Sequence, residues 1–192
     1  KPIADVFVSG WVSGAGQVGP AGDDLTRADG RTSAQRYADA YVLQLARPVT
    51  QSVRERMNEV LRGAVDSGTS YRDAASMVRD VMAGDAYYIA DRIARTELAN
   101  TYQMGNIAAW KESGAVVGKR FQLAAGACPL CQEVGRMLAG KVVPLDQPML
   151  PRGTFISAGN RTMTIDFRDV MTGTIHPNDR CSIEPVMSGE AE

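Results

Sequence analysis

Histidine is almost absent from this chain, with His176 the sole example in 192 residues, and cysteine stops at three. So few thiols, and an odd number of them, exclude a secreted disulfide scaffold and predict synthesis in a reducing compartment. An excess of either charge is lacking too: 21 Lys and Arg face 22 Asp and Glu, for a net charge of −1. The stretch after Gly114 is equally balanced, eight basic residues against eight acidic ones. With no positive field to release counterions, a dedicated DNA reader or a binder of anionic membranes is not expected. No apolar run approaches the ~18 residues of a membrane span. The opening "KPIADVFVSGWVSG" has neither a signal-peptide pattern nor an initiator Met, which predicts a processed chain or a fragment.

What is present describes a globular protein. Hydrophobic residues make up 44% and charged residues 22%, enough for a core, while 19 glycines and 9 prolines predict much loop. Residues 1–30 hold six glycines, and this segment is expected to be an extended arm that orders against a partner or stays mobile. From Thr32 to Gly114 the pattern is helical. Tyr37, Tyr41, Val42 and Leu45 recur at helical spacing up to Pro48, and Val53, Met57, Val60, Leu61 and Val65 continue to Gly68. Ser70 reads as an N-cap for a helix closed by Gly84, and a long final helix ends at Gly114. After Gly114, short β-branched or alternating runs such as "GKRFQLA", "GKVVPL", "GTFIS" and "RTMTIDFRDV" predict hairpins and loops. The fold class expected is therefore α+β, divided into an arm (1–30), a helical domain (31–114), a small β module (115–187) and a tail (188–192). Strands this short need a staple.

The scarce residues supply one. Cys128 and Cys131 form a C-x2-C pair, and His176 with Cys181 forms H-x4-C, separated from the first pair by 44 residues. Zinc takes four tetrahedral ligands from cysteine and histidine, commonly as two close pairs, and Pro129 would stiffen the turn between the first two. Cys128, Cys131, His176 and Cys181 are therefore candidate ligands of a structural Zn²⁺, with four protein ligands leaving no position for a reacting water. The alternative is buried free thiols beside an unrelated histidine. A thioredoxin-like dithiol should open a helix after a strand inside a βαβ unit, and no such unit is predicted here. A zinc deaminase carries H-x-E before its cysteines, a motif this chain lacks. "HPND" is faintly like zinc-stabilised HNH nucleases, but the only histidine cannot be both ligand and general base.

The residues "IARTELANTYQMGNIAAWKESGAV", "KRFQLAAGACPLCQEVGRMLAGKVVPLD" and "HPNDRCSIEPV", in that order, resemble the phage Mu protein F-like minor head morphogenesis family. The likeness covers roughly residues 90 to 186. It implies a structural, non-enzymatic virion protein, made in the host cytoplasm and located in the head interior near the portal vertex. Its implied partners are the portal and major capsid proteins, with weak contact to packaged DNA and none to membrane. It also implies roles in head assembly, genome packaging or genome ejection. Where the family usually has a second cysteine in its closing motif this chain has Asp179, an oxygen donor that could join the ligand set. The stretch 148–174 is longer than the family's usual connection and is read as an inserted β excursion offering a contact surface.

Two further expectations concern the A-R-T-E element. Arg95 either pairs with Asp91 one helical turn away or bridges the long helix to the metal module. An ADP-ribosyltransferase-like or nuclease effector delivered with the DNA is the alternative class. A zinc module binding nucleic acid directly is the third.

Overall fold

A computed structural model describes residues 3–39, 87–166 and 168–189, with six isolated positions between 59 and 77. The helices expected between Pro48 and Gly84 lie outside the continuously described residues. The glycine-rich start is the first departure from expectation. Residues Ile3–Gln17 form helix α1, followed by a 3-10 turn at Gly19–Gly22 and helix α2 at Arg27–Asp39. Phe7, Trp11, Ala15 and Val18 recur every three or four residues, and all four are buried. Gly10 and Gly14 between them serve packing, not mobility. A Cβ at Gly10 would collide with the Tyr102 carbonyl, and one at Gly105 would collide with the Phe7 carbonyl. The missing side chains thus let α1 lie directly on the long helix.

Helix α2 begins earlier than its hydrophobic pattern suggests because its N-terminus is capped. Thr26 Oγ1 donates to Asp29 Oδ2 at 2.6 Å, and the Thr26 N–H donates to the same oxygen at 2.8 Å. The Asp29 N–H returns a bond to Thr26 Oγ1 at 3.3 Å, completing a reciprocal capping box. Hydrogen bonds from the Thr26 hydroxyl and backbone hold the Asp29 carboxyl below its ordinary value. Tyr37 stacks on Phe7 with ring centroids 5.1 Å apart, tying α2 to α1.

Helix α3, Tyr87–Ser113, ends as expected at Gly114, whose φ of 66° is the left-handed conformation that stops a helix. Strand β1 (Val116–Gln122) then pairs antiparallel with the last strand, β4 (Ser182–Met187), so that Phe121 faces Ile183. Between them lie helix α4 (Pro129–Met137) and the hairpin of β2 (Phe155–Ala158) with β3 (Arg161–Thr164). Gly159, at φ 61°, makes that hairpin's turn. "GKVVPL" is not a full strand: Val143 only bridges to Lys119, through backbone bonds of 2.7 and 2.9 Å.

The α+β class therefore holds, with a helix inside the module expected to be β. The boundary at Gly114 does not divide two cores. Ile107 and Trp110 of α3 share one buried cluster with Phe121, Val134, Ile156, Ile165, Ile175 and Ile183. A second cluster joins Phe7, Val8, Trp11 and Ala34 to Ala109 of α3. The long helix is the common wall of both.

Candidate metal centre

Cys128 occupies the N-cap of α4 with extended backbone (φ −68°, ψ 163°), and Pro129 fills the first helical position. Proline suits that place because its missing N–H would have no partner and its φ is already helical. Cys131 follows within the first turn, which brings its sulfur to 3.6 Å from that of Cys128. His176 arrives from the loop before β4, and its Nε2 lies 3.1 Å from both sulfurs. Its Nδ1 lies 2.8 Å from the Pro177 carbonyl. A carbonyl only accepts, so Nδ1 carries the hydrogen and Nε2 presents its lone pair to the thiols, the tautomer a metal-bound imidazole needs.

Cys181 belongs to a second group of donor atoms that shares Cys131. The donor atoms of Cys128, Cys131 and His176 lie within 4.8 Å of one another, as do those of Cys131, Asp179 and Cys181. Cys131 is common to both sets. All four residues singled out in the sequence thus converge with Asp179 on one region that could hold a metal, the first three as a closed triad and Cys181 beside it.

Asp179 shapes the loop that delivers His176. Its Oδ2 accepts the Ile175 N–H at 2.9 Å and its Oδ1 the Cys181 N–H at 2.8 Å, while the Cys131 thiol faces Oδ1 at 3.5 Å. The carboxylate is buried, and two backbone amides satisfy it. Asn178 turns the chain in the left-handed region at φ 64°, which asparagine tolerates better than most residues.

One face of α3 holds the same loop. Thr96, Asn100 and Gln103 recur at four- and three-residue spacing and are all buried. The Asn178 N–H donates to Thr96 Oγ1 at 3.1 Å, and Thr172 Oγ1 donates to Asn100 Oδ1 at 2.8 Å. Gln103 accepts the Gly173 N–H at 2.8 Å and donates to Thr174 Oγ1 at 3.0 Å and to the Cys181 carbonyl at 3.1 Å. A link from the A-R-T-E element to the same loop thus runs through Thr96, the neighbour of the exposed Arg95. The spacing of these polar residues is visible in the sequence, but their partners, 70 or more residues away, are not.

The electrostatics suit a cation. Burial pushes the Cys131 thiol far above its ordinary value, and the negative Asp179 adds to this. Burial likewise raises Cys181, against a pull from the Ala124 N–H, and Asp179 reinforces the rise to about 11. For Cys128 burial opposes ionisation, but hydrogen bonds from Cys131 and His176 outweigh it and the value falls. A divalent ion would reverse the penalty at the buried sulfurs, since coordination deprotonates a thiol outright. A cavity of about 120 Å³ adjoins the cluster, lined by Cys128, Cys131, His176, Asp179 and Arg180 among others.

Cys128 also opens a helix that follows a strand, β1. The surroundings are still not βαβ, because β1 pairs antiparallel with β4. Among the described residues no helix is long and apolar enough to cross a membrane. The chain matches no protein-family model, no curated protein and no solved structure.

Proposed function

We propose that the cluster holds one structural Zn²⁺ and that the protein is a minor, portal-associated component of a phage head. The observation that carries the metal reading is the Cys128–Cys131–His176 triangle. Edges of 3.6, 3.1 and 3.1 Å are a few tenths shorter than the roughly 3.6–3.8 Å edges of a tetrahedron with ordinary zinc–sulfur and zinc–nitrogen bonds. A small outward shift accommodates the ion. Cys181 is the fourth ligand in this reading, because the Asp179 carboxylate is already engaged by two backbone amides. Soft thiolates with one imidazole favour zinc over magnesium or calcium, which take oxygen ligands.

The head reading is supported by the ordered motifs around Arg95, Cys128 and His176 and their likeness to the Mu protein F-like family. The protein acts there by assembly contacts. A nuclease reading is disfavoured, since the only histidine turns its Nε2 onto two sulfurs. Direct DNA binding is disfavoured by a net charge of −1. Mass spectrometry of purified heads, with co-purification on the phage's own portal protein, tests the location. Absence of the chain from DNA-filled and empty heads alike would refute it.

A further inference from the structure

We propose that Cys128 and Cys131 form an oxidisable dithiol through which a hydroperoxide ejects the bound zinc. The inference deepens the zinc reading and rests on it. Three features carry it. The two sulfurs are 3.6 Å apart, so closing to a bond of about 2.05 Å needs only a modest side-chain shift. All three cysteines line the cavity, but Cys128 is half-buried, whereas Cys131 and Cys181 are only 1% and 2% exposed. The oxidant therefore meets Cys128 first.

The third feature selects the partner. Cys131 has two sulfur neighbours, Cys128 at 3.6 Å and Cys181 within 4.8 Å. The main chain of Cys181 is clamped at both ends, its N–H on Asp179 and its carbonyl on Gln103. The Cys128 carbonyl also accepts a bond, from the Gln132 N–H at 3.0 Å, but its sulfur is already at 3.6 Å from that of Cys131. Cys131 resolves towards Cys128.

The chemistry closes without a cofactor. The Cys128 thiolate attacks one peroxide oxygen and the O–O bond breaks; the leaving oxygen departs with the bonding pair and takes a proton from water. Cys128 is now a sulfenic acid. The Cys131 thiolate attacks that sulfur, the S–S bond forms, and hydroxide leaves to be protonated to water. Two electrons pass from the sulfur pair to the peroxide. With both thiolates consumed, only Cys181 and His176 would remain to hold a bound zinc, too few to retain it. The loop bearing His176 stays seated on α3 through Thr96, Asn100 and Gln103, so a reducing thiol and fresh zinc restore the site.

The test treats the zinc-loaded full chain with hydrogen peroxide, following released zinc with a chromogenic chelator and mapping disulfides by mass spectrometry. Complete loss of bound zinc is expected, rising one for one with a Cys128–Cys131 disulfide and reversed by dithiothreitol with added zinc. Zinc retained under peroxide, or released with a disulfide to Cys181 or with sulfinic acid alone, overturns the inference and leaves the zinc reading standing. A chain that never binds zinc overturns that reading instead. Disulfide mapping of the metal-free chain then still decides whether Cys128 and Cys131 are the pair.

Discussion

Lys119 is a residue whose sequence context, a strand running "VVGKRFQ", gives no sign of its role. Its side chain is fully buried, with Nζ donating to the Leu145 carbonyl at 3.2 Å and the Gln147 carbonyl at 2.8 Å. It pins the 143–147 segment across β1. Burial, aided by the positive Lys111 and opposed by Asp146, lowers its pKa from 10.5 to about 8. The folded state therefore releases this proton earlier than the unfolded chain does. The cost of the buried charge is fully present below about pH 8 and is relieved as pH rises towards 10.5. Relative to Lys119→Met, the wild type should gain on the order of 3 kcal/mol across that interval. Urea unfolding of both chains at a series of pH values measures the gap, and a gap that does not change with pH would refute the buried-charge description. Asp179 is the opposite case. Its position in H-P-N-D-R-C marked it as unusual, and its backbone bonds explain why it stands there. Replacing it with alanine leaves the Ile175 and Cys181 amides buried and unpaired, at about 1–3 kcal/mol each. A melting temperature for Asp179→Ala equal to wild type would contradict this loop-forming role.

Among the elements, α3 does most to organise the molecule, and its boundaries were the most legible. A long amphipathic run closed by a glycine is a strong signal, and Gly114 stops it where expected. What its buried polar face does was not legible, because hydrogen-bond partners 70 or more residues away leave no mark on local periodicity. Gln103→Ala should remove three bonds to the loop at once, those to Gly173, Thr174 and Cys181. Losses around a ligand's orienting groups typically weaken metal affinity about 10–100-fold, so competition with a chelator should show that shift. Affinity unchanged in Gln103→Ala would mean that the ladder does not position the site. Helix α1 shows the reverse failure. Glycine content was read as mobility, yet Gly10 and Gly105 are where two helix backbones touch. Gly105→Ala should push α1 off α3 at a cost of about 1–3 kcal/mol, visible in a thermal melt. An unchanged melt would restore the mobile arm. The brief helix α4 was missed because Cys-Pro-Leu-Cys reads equally well as a tight turn, and only nine residues express its helical period.

For the whole molecule, the shared core changes what the metal is expected to do. Read as a few short strands, the region after Gly114 needs a staple to fold at all. Its buried side chains instead join Ile107 and Trp110 of α3 in one cluster, and Lys119, Gln103 and Asp179 satisfy polar groups around it. Removal of zinc should therefore loosen residues 124–131 and 172–181 and lower the melting temperature, while β1, β4 and the hairpin persist. Hydrogen exchange with and without chelator measures this; loss of protection throughout β1 and β4 would show that the metal holds the whole module. The α+β class and the four cysteine and histidine positions were readable because scarce residues at metal-binding spacing stand out against any background. Asp179's loop and the grouping of donor atoms around Cys131 required three dimensions. The central claim is that Cys128, Cys131, His176 and Cys181 together bind one zinc ion, and metal analysis of the full chain purified without chelators tests it most directly. One equivalent of zinc is expected, held by three sulfurs at about 2.3 Å and one nitrogen at about 2.0–2.1 Å in an X-ray absorption spectrum, and lost in Cys181→Ala. A chain that carries no metal and takes up none when zinc is supplied would contradict the claim.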